Sequence, residues 1–454
     1  MITLNVGGGR SVNGAFLSCS RRAPVLTRRN MLGIARNRLQ TEPKMTAPLN
    51  LGYLVPQFPG QTHVFFWREI AALEARGVRV HLFSTRLPPP GLISHDWSGA
   101  AMARTTYLGR VAPMCALAGL VRAPWRAVLA EGAGRAFLRD VVLSLPAARA
   151  LMAEARARGI AHVHAHSCGR AALICALARA MGGPRYSLTL HGPLSDYGPG
   201  QGFKWRGADF ATVITRKLLS EVRAALGPDL PDDVVVQPMG VDTDGFVREV
   251  PYRAPEPGRP LRLFACGRLN VVKGHQDLLS ALRLLLDRGV AVTVDIAGED
   301  DAGGHGYRAE LQAHLDALGL AGHARLLGAV SGDEVRARLM AADVFALASW
   351  HEPLGVAYME AMAAGVPVIG TDAGGVRELL TDGETGLLVP PKNPEALAGA
   401  IARLAGDPSL CLRLSAAGRA HVVAGYDSAR GAEALIAGIT RAADARAAVP
   451  SHRG

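Results

Sequence analysis

The sequence predicts an α/β protein built from two doubly wound parallel-sheet domains in tandem, and three observations carry that prediction. Strand-like apolar runs alternate with helix-like ones along almost the whole chain, the pattern of parallel strands joined by crossover helices. The alternation breaks at residues 250–260, VPYRAPEPGRP, whose prolines exclude regular structure and mark a linker, and then restarts. A chain of 454 residues with 49% hydrophobic content can also bury two full cores.

In the first domain, residues 45–249, LGYLV reads as the opening strand, HVFFWREIAALEARG as the helix behind it and VRVHLFST as the next strand. HVHAH, YSLTL and FATVIT follow as strands, with a helix from about Gly169 after the first of them. In the second domain, residues 261–427, LRLFAC, VTVDIAG, ARLLG and VFALAS read as strands, with helices from Lys273 and near Tyr307. Pro394 and Pro408 stand at the first positions of helices that follow Asn393 and Asp407 and finish the domain. Residues 428–454 are expected to be a terminal helix, Ser428 to Ala447, packed back across the domain boundary, and a tail.

The net charge of +11 invites a nucleic-acid reading, but its distribution argues against one. Residues 1–44 hold Arg10, Arg21, Arg22, Arg28, Arg29, Arg36, Arg38 and Lys44 against the single acid Glu42, so most of the excess lies in this arm. The arm lacks the compact apolar stretch of a secretory signal, and Met45 precedes the first convincing strand. Met45 is therefore the expected natural start, with a disordered basic extension as the alternative. Aromatic residues make up only 5% of the chain, which leaves few stacking platforms for nucleic acid. Cys19, Cys115, Cys168, Cys175, Cys266 and Cys411 show neither CxxC spacing nor a disulfide framework, which fits a reducing cytoplasm. No run reaches the roughly 18 apolar residues of a membrane span. The best candidate, Val111 to Val121, is closed by Arg122.

Residues 349–375, SWHEPLGVAYMEAMAAGVPVIGTDAGG, carry the strongest chemical signal. A helix beginning near Leu354 or Gly355 would offer free N–H groups and a positive dipole end, a site for phosphate formed by Pro353, Leu354 and Gly355. Glu360, about one turn into that helix, could accept hydrogen bonds from hydroxyls beside the phosphate, with Glu352 at the other side. The combination describes a nucleotide diphosphate sugar, although a chain with 39 acidic residues also produces such glutamate pairs by chance.

Ligands of open α/β sheets bind beyond the carboxyl ends of the strands. His191 follows YSLTL, Gly267 and Arg268 follow LRLFAC, and Glu352 follows VFALAS, which places three polar positions at three strand ends in one cleft. In GRLNVVKGHQDLL, Arg268 and Lys273 flank a short loop and could neutralise a diphosphate leaving group; a solvated basic loop is the plainer reading of these two alone. His164 and His166 alternate along HVHAH and read as strand and pocket lining, with metal ligation the other option for residues of this type. Asp242 and Asp244 form a DxD that in other settings holds a divalent metal.

From Pro353 to Pro390, PLGVAYMEAMAAGVPVIGTDAGGVRELLTDGETGLLVP closely resembles the nucleotide-sugar half of the retaining glycosyltransferases of family four. The resemblance implies a GT-B fold, two Rossmann-like doubly wound domains facing across a cleft. It further implies Arg268 and Lys273 as the diphosphate clamp, Glu360 on the ribose, Glu352 on the sugar, and His191 in Thr189-Leu190-His191 holding a sugar hydroxyl. MGVDTDGF resembles the segment that closes the first domain in this family, where no metal is used, so no metal or cofactor is expected beyond a UDP-, GDP- or ADP-sugar donor. Members retain anomeric configuration without an obvious enzymic nucleophile, which implies front-face displacement. Glu352 as a covalent nucleophile is the lesser alternative.

VPQFPGQTHVFFWREI departs from the family's usual glycine pair, having Gly60 only, and resembles the opening of exopolysaccharide-assembly members. Gly60, Thr62 and His166 fall on the acceptor side. Nine arginines between Arg104 and Arg158 interleave with Trp125, Phe137 and aliphatic residues, a pattern shared by anionic-membrane binders and by ordinary surface helices. The expected function is hexose transfer from a nucleotide diphosphate sugar to a polyprenyl-diphosphate-linked saccharide at the inner face of the plasma membrane. A soluble acceptor is the alternative within the class. A nucleotide-sugar epimerase lacks its acid/base cluster here, and a dinucleotide oxidoreductase lacks a GxGxxG after a strand. A basic nucleic-acid-binding or regulatory protein is the alternative of another class.

Overall fold

The computed structural model describes residues 49–88, 95–109, 120–256, 258–300 and 305–448. The basic extension with its start at Met45, most of the apolar run from Val111 to Val121, Cys19, Cys115 and the end of the tail lie outside the described residues.

The first sheet contains β1 (Asn50–Gln57), β2 (Arg79–Arg86), β3 (Thr106–Tyr107), β4 (His162–His166), β5 (Arg185–Leu190), β6 (Ala211–Val213) and β7 (Val234–Val236). Its order is β3-β2-β1-β4-β5-β6-β7, every neighbouring pair parallel. The second contains β8 (Leu261–Cys266), β9 (Val292–Ala297), β10 (Ala324–Gly328), β11 (Val344–Ala346), β12 (Val368–Thr371) and β13 (Leu387–Val389). Its order is β10-β9-β8-β11-β12-β13, again parallel. Each sheet runs outward from its first strand and then reverses, so the switch points fall between β1 and β4 and between β8 and β11. This is the doubly wound architecture twice over, in one compact unit.

The helices of the first domain include α1 (Val64–Ala75), α2 (Ser98–Arg104), α3 (Trp125–Ala130), α4 (Gly134–Ala157), α5 (Arg170–Ala180), α6 (Gln201–Arg206) and α7 (Arg216–Leu226). Those of the second are α8 (His275–Asp287), α9 (Tyr307–Ala317), α10 (Gly332–Ala341), α11 (Val356–Ala363), α12 (Val376–Leu379), α13 (Pro394–Gly406) and α14 (Pro408–Gly425). Asn393 and Asp407 cap α13 and α14, accepting the Ala396 and Leu410 N–H groups, each with proline at the first helical position. The last helix, α15 (Ser428–Ala447), returns to the first domain. Its Ala432, Leu435 and Ile439 share a core with Ile70 and Leu73 of α1 and with Phe210. At Gly438 a Cβ would lie 2.5 Å from the Phe210 ring, so glycine permits this close approach.

Polar contacts also cross between the domains. Glu378 of α12 accepts the Arg216 and Lys217 N–H groups at 2.7 and 2.9 Å, capping α7 from the opposite domain. The Arg248 guanidinium, just before the interdomain segment, donates to the carbonyls of Leu339, Met340 and Ala364.

Two helix starts differ from the sequence expectation. The helix expected near Leu354 begins at Val356, with Gly355 at φ +99° as the residue before it. The helix expected from Lys273 begins at His275, after a short 3₁₀ turn over Val271–Lys273. Gly274 separates the two at φ +65°, where a Cβ would stand 1.9 Å from the Ala348 carbonyl oxygen. Close approach that periodicity does not register marks both boundaries: the Ala348 backbone at Gly274, and the Tyr358 ring, 2.3 Å from where a Cβ would stand, at Gly355.

Candidate active site

The strand ends at the two switch points face a single cleft of about 760 Å³. From the first domain it is lined by Gly60, Thr62 and His63 after β1, His166 at the end of β4, and His191 after β5. From the second come Gly267 and Arg268 after β8, Lys273, and the Glu352-Pro353-Leu354-Gly355 turn beyond β11. Glu360 is not among the lining residues. It is only 8% exposed within α11, and its carboxylate lies 2.8 Å from the Arg68 guanidinium of α1, an ion pair across the domains.

The Glu352 turn is held by its surroundings. The Gly375 N–H donates to the Glu352 carbonyl at 2.9 Å. A Cβ at Gly374, where φ is +68°, would sit 2.0 Å from that carbonyl oxygen, and one at Gly375 would sit 2.0 Å from the Pro353 carbonyl oxygen. The two glycines are therefore the floor on which the turn rests, and any side chain there would lift it. Below Gly355, Tyr358 is fully buried and donates its hydroxyl to the Leu347 carbonyl at 2.8 Å, anchoring the start of α11 to β11 and its extension.

The Glu352 carboxylate, 7% exposed, meets the Lys273 ammonium at 2.5 Å and accepts from Ser349 Oγ at 3.3 Å. The two loops are further tied by the Trp350 N–H, which donates to the Val272 carbonyl at 2.8 Å. Arg268 is different. It is exposed, and among the described residues its side chain makes no hydrogen bond or ion pair. Its charge reaches across the cleft, where burial first and Arg268 second push His63 down to about 4.

His63 is a cleft residue that sequence reasoning passed over. Its signal was Gly60, three residues earlier, where a Cβ would stand 2.7 Å from the His63 ring. The imidazole folds over this single glycine.

His166 and His191 come together, with His166 Nδ1 3.3 Å from His191 Nε2. His166 Nε2 lies 3.1 Å from Glu69 Oε2, which accepts the Tyr53 hydroxyl at 2.6 Å. His164 is engaged on both nitrogens by hydroxyls, Ser187 Oγ at 2.8 Å and Thr189 Oγ1 at 2.7 Å. It is a strand residue satisfied by its neighbours on β5. Asp242 accepts the Gly245 N–H at 2.8 Å and shapes a turn.

Burial pushes His63, His162 and His275 down to about 4 and His166 and His191 to about 3. These histidines are neutral when folded and protonate near pH 6.5 when unfolded, so the unfolded chain binds more protons below that pH. Stability is therefore full above pH 6.5 and is lost as pH falls toward 4. At pH 5.5 each such histidine costs about 1.4 kcal/mol. Thermal melts at pH 7.5 and 5.5 should show a markedly lower Tm at the acid value; equal values would mean that these rings are not held neutral.

Two family models together match most of the chain: "Glycosyltransferase Family 4" over residues 63–245 and "Glycosyl transferases group 1" over residues 249–421. Among curated proteins, the chain is 28% identical over 381 residues to the "Putative colanic acid biosynthesis glycosyltransferase WcaL" of Salmonella typhimurium, covering 78% of this chain and 90% of that one. It is 33% identical over 231 residues to the GDP-mannose-dependent alpha-(1-6)-phosphatidylinositol monomannoside mannosyltransferase of Mycobacterium tuberculosis, covering 48% of this chain and 58% of that one. This second match thus spans little more than half of the relative's length. Among solved structures, the sucrose-phosphate synthase of Thermosynechococcus elongatus superposes with a TM-score of 0.67 at 20% identity, covering 87% of this chain and 100% of that one. HepE of Anabaena, solved with UDP-glucose, gives 0.66 at 17% identity over 88% of this chain and 100% of that one. With its two facing doubly wound domains and both halves matched by family models, the chain belongs to the family-four glycosyltransferases of GT-B fold.

Proposed function

We propose that this protein transfers a hexose, with retention of anomeric configuration and without a metal, from a nucleotide diphosphate sugar to a lipid-linked saccharide in exopolysaccharide assembly. The observation that carries the reading is the convergence of Arg268, Lys273, Glu352 and the Gly355–Val356 helix start on one cleft, with His191 on its opposite wall. Two cations and a helix N-terminus supply the charge that a departing diphosphate requires. The diphosphate draws Lys273 from Glu352, freeing that carboxylate for the sugar hydroxyls. The ribose takes Glu360 in place of Arg68. The bond between the anomeric carbon and the phosphate oxygen breaks while the acceptor oxygen approaches on the same face, and the departing phosphate oxygen receives the acceptor's proton.

The acceptor part of the reading draws on the likeness to WcaL and to a mannosyltransferase whose acceptor is a phosphatidylinositol mannoside. Among the described residues no helix is long and apolar enough to cross a membrane. Val121, Leu129, Val142 and Leu143 are exposed amid the arginines of residues 120–158, a surface suited to an anionic bilayer. Phe137 is not part of it, being 1% exposed beneath Gly200 in the core.

The test incubates the protein with radiolabelled UDP-, GDP- and ADP-hexoses, bacterial lipid extract or soluble oligosaccharides, and EDTA throughout. Label in the organic phase from one donor is expected. Label only in soluble oligosaccharide would establish the alternative acceptor, and dependence on added metal would refute the metal-free mechanism.

A further inference from the structure

Three consecutive residues of α1 have three separate partners. Arg68 pairs with Glu360, Ile70 is buried in the core, and Glu69 meets Tyr53 and His166. We propose that Glu69 is a positioning residue that fixes the ring tautomer of His191 through His166, leaving His191 Nδ1 as a hydrogen-bond acceptor.

Tyr53 is fully buried and donates its hydroxyl to Glu69 Oε2 at 2.6 Å. Burial, and then Glu69, raise the Tyr53 phenol well above its usual range, so it stays a donor. The same Oε2 lies 3.1 Å from His166 Nε2, off the line of the ring N–H. A carboxylate has only lone pairs to offer, so a ring lone pair facing it is repelled and an N–H is favoured even at a bent angle. Neutral His166 therefore carries its hydrogen on Nε2 and leaves Nδ1 bare. That bare nitrogen is 3.3 Å from His191 Nε2, which must supply the hydrogen. Neutral His191 is then bare at Nδ1, a buried nitrogen with no partner among the described residues, on a side chain that lines the cleft.

The rings are confined. His166 lies against Tyr53 with centroids 4.3 Å apart and against Phe66 at 4.8 Å, and His191 has Phe66 at 5.5 Å and Phe65 at 5.6 Å. A flip of either imidazole would have to displace this aromatic wall, so the tautomer chosen by Glu69 is transmitted rather than absorbed. In catalysis, which rests on the glycosyltransferase reading, an acceptor nitrogen takes the hydrogen of a donor-sugar hydroxyl and thereby fixes which way that hydroxyl points.

The experiment uses full-length protein labelled with ¹⁵N-histidine, with His191→Asn to assign the His191 resonances. The wild type is expected to show His191 protonated at Nε2 alone. Glu69→Met removes the acceptor and should shift His191 toward a mixture of tautomers, lower kcat by about 10- to 100-fold and leave nucleotide affinity unchanged. Glu69→Gln keeps a carbonyl oxygen and should restore part of both the spectrum and kcat. A wild-type His191 protonated at Nδ1, or a His191 spectrum that Glu69→Met leaves unaltered in a protein that still binds nucleotide, would overturn the proposal. The spectrum is read without substrate, so the tautomer assignment and the glycosyltransferase reading fail separately.

Discussion

Arg268→Ala is expected to lower kcat for sugar transfer by about 10²- to 10³-fold while shifting stability by less than about 0.5 kcal/mol. Arg268 has no side-chain partner among the described residues, so its removal leaves nothing unpaired in the resting protein. On the proposed function, its contribution to catalysis would arise when a diphosphate occupies the cleft. Lys273→Ala should lower kcat to a similar degree and also destabilise, because Glu352 then keeps a buried carboxylate without its cation at 2.5 Å. Leaving such a charge unpaired costs about 3 kcal/mol. The contrast between the two variants is the informative result. Steady-state kinetics at saturating donor, with thermal melts alongside, measure it, and an Arg268→Ala protein with undiminished kcat would remove Arg268 from the clamp.

Much of this architecture is legible in the sequence because parallel strands buried on both faces leave long apolar runs, and prolines at 250–260 interrupt them. HVHAH was readable as a strand although three of its positions are histidine; in the fold His162 and His164 find hydroxyls at Ser187 and Thr189 on β5, while His166 meets His191 and Glu69. The short strands β3, β7, β12 and β13, of two to four residues, were not read, whereas β6 and β11, three residues each, stood out only through the longer apolar runs FATVIT and VFALAS around them. At the site, local strings pointed to Arg268, Lys273 and Glu352, but not to the pairing of the last two, which depends on loops 79 residues apart. Nor could the string WREI disclose that Arg68 reaches Glu360, 292 positions away, or that Glu69 reaches the histidines of β4 and β5. Such contacts arise from the docking of two domains and from sheet order, neither of which is written in any one segment.

The Arg68–Glu360 pair shapes the second large effect expected. Glu360 holds the Arg68 guanidinium through Oε1, and on the proposed function the ribose hydroxyls would take its remaining lone pairs or displace that pair, so the ribose would gain less than two fresh charge-assisted hydrogen bonds would give. Each such bond contributes about 1.5–3 kcal/mol, and part of that offsets the lost ion pair. Glu360→Ala should accordingly weaken nucleotide diphosphate binding by at least about tenfold, while binding of inorganic diphosphate, which has no ribose, should change little. Equal weakening of both ligands would show that the substitution acts by loosening the domain contact at Arg68 and not through the ribose.

The donor site is tested most directly by calorimetric titration of the protein with UDP, GDP and ADP, beside Glu360→Ala. Selective binding of one nucleotide, weakened at least about tenfold in the variant, is the expected result. A folded protein that binds none of the three would contradict the assignment of the cleft to a nucleotide sugar.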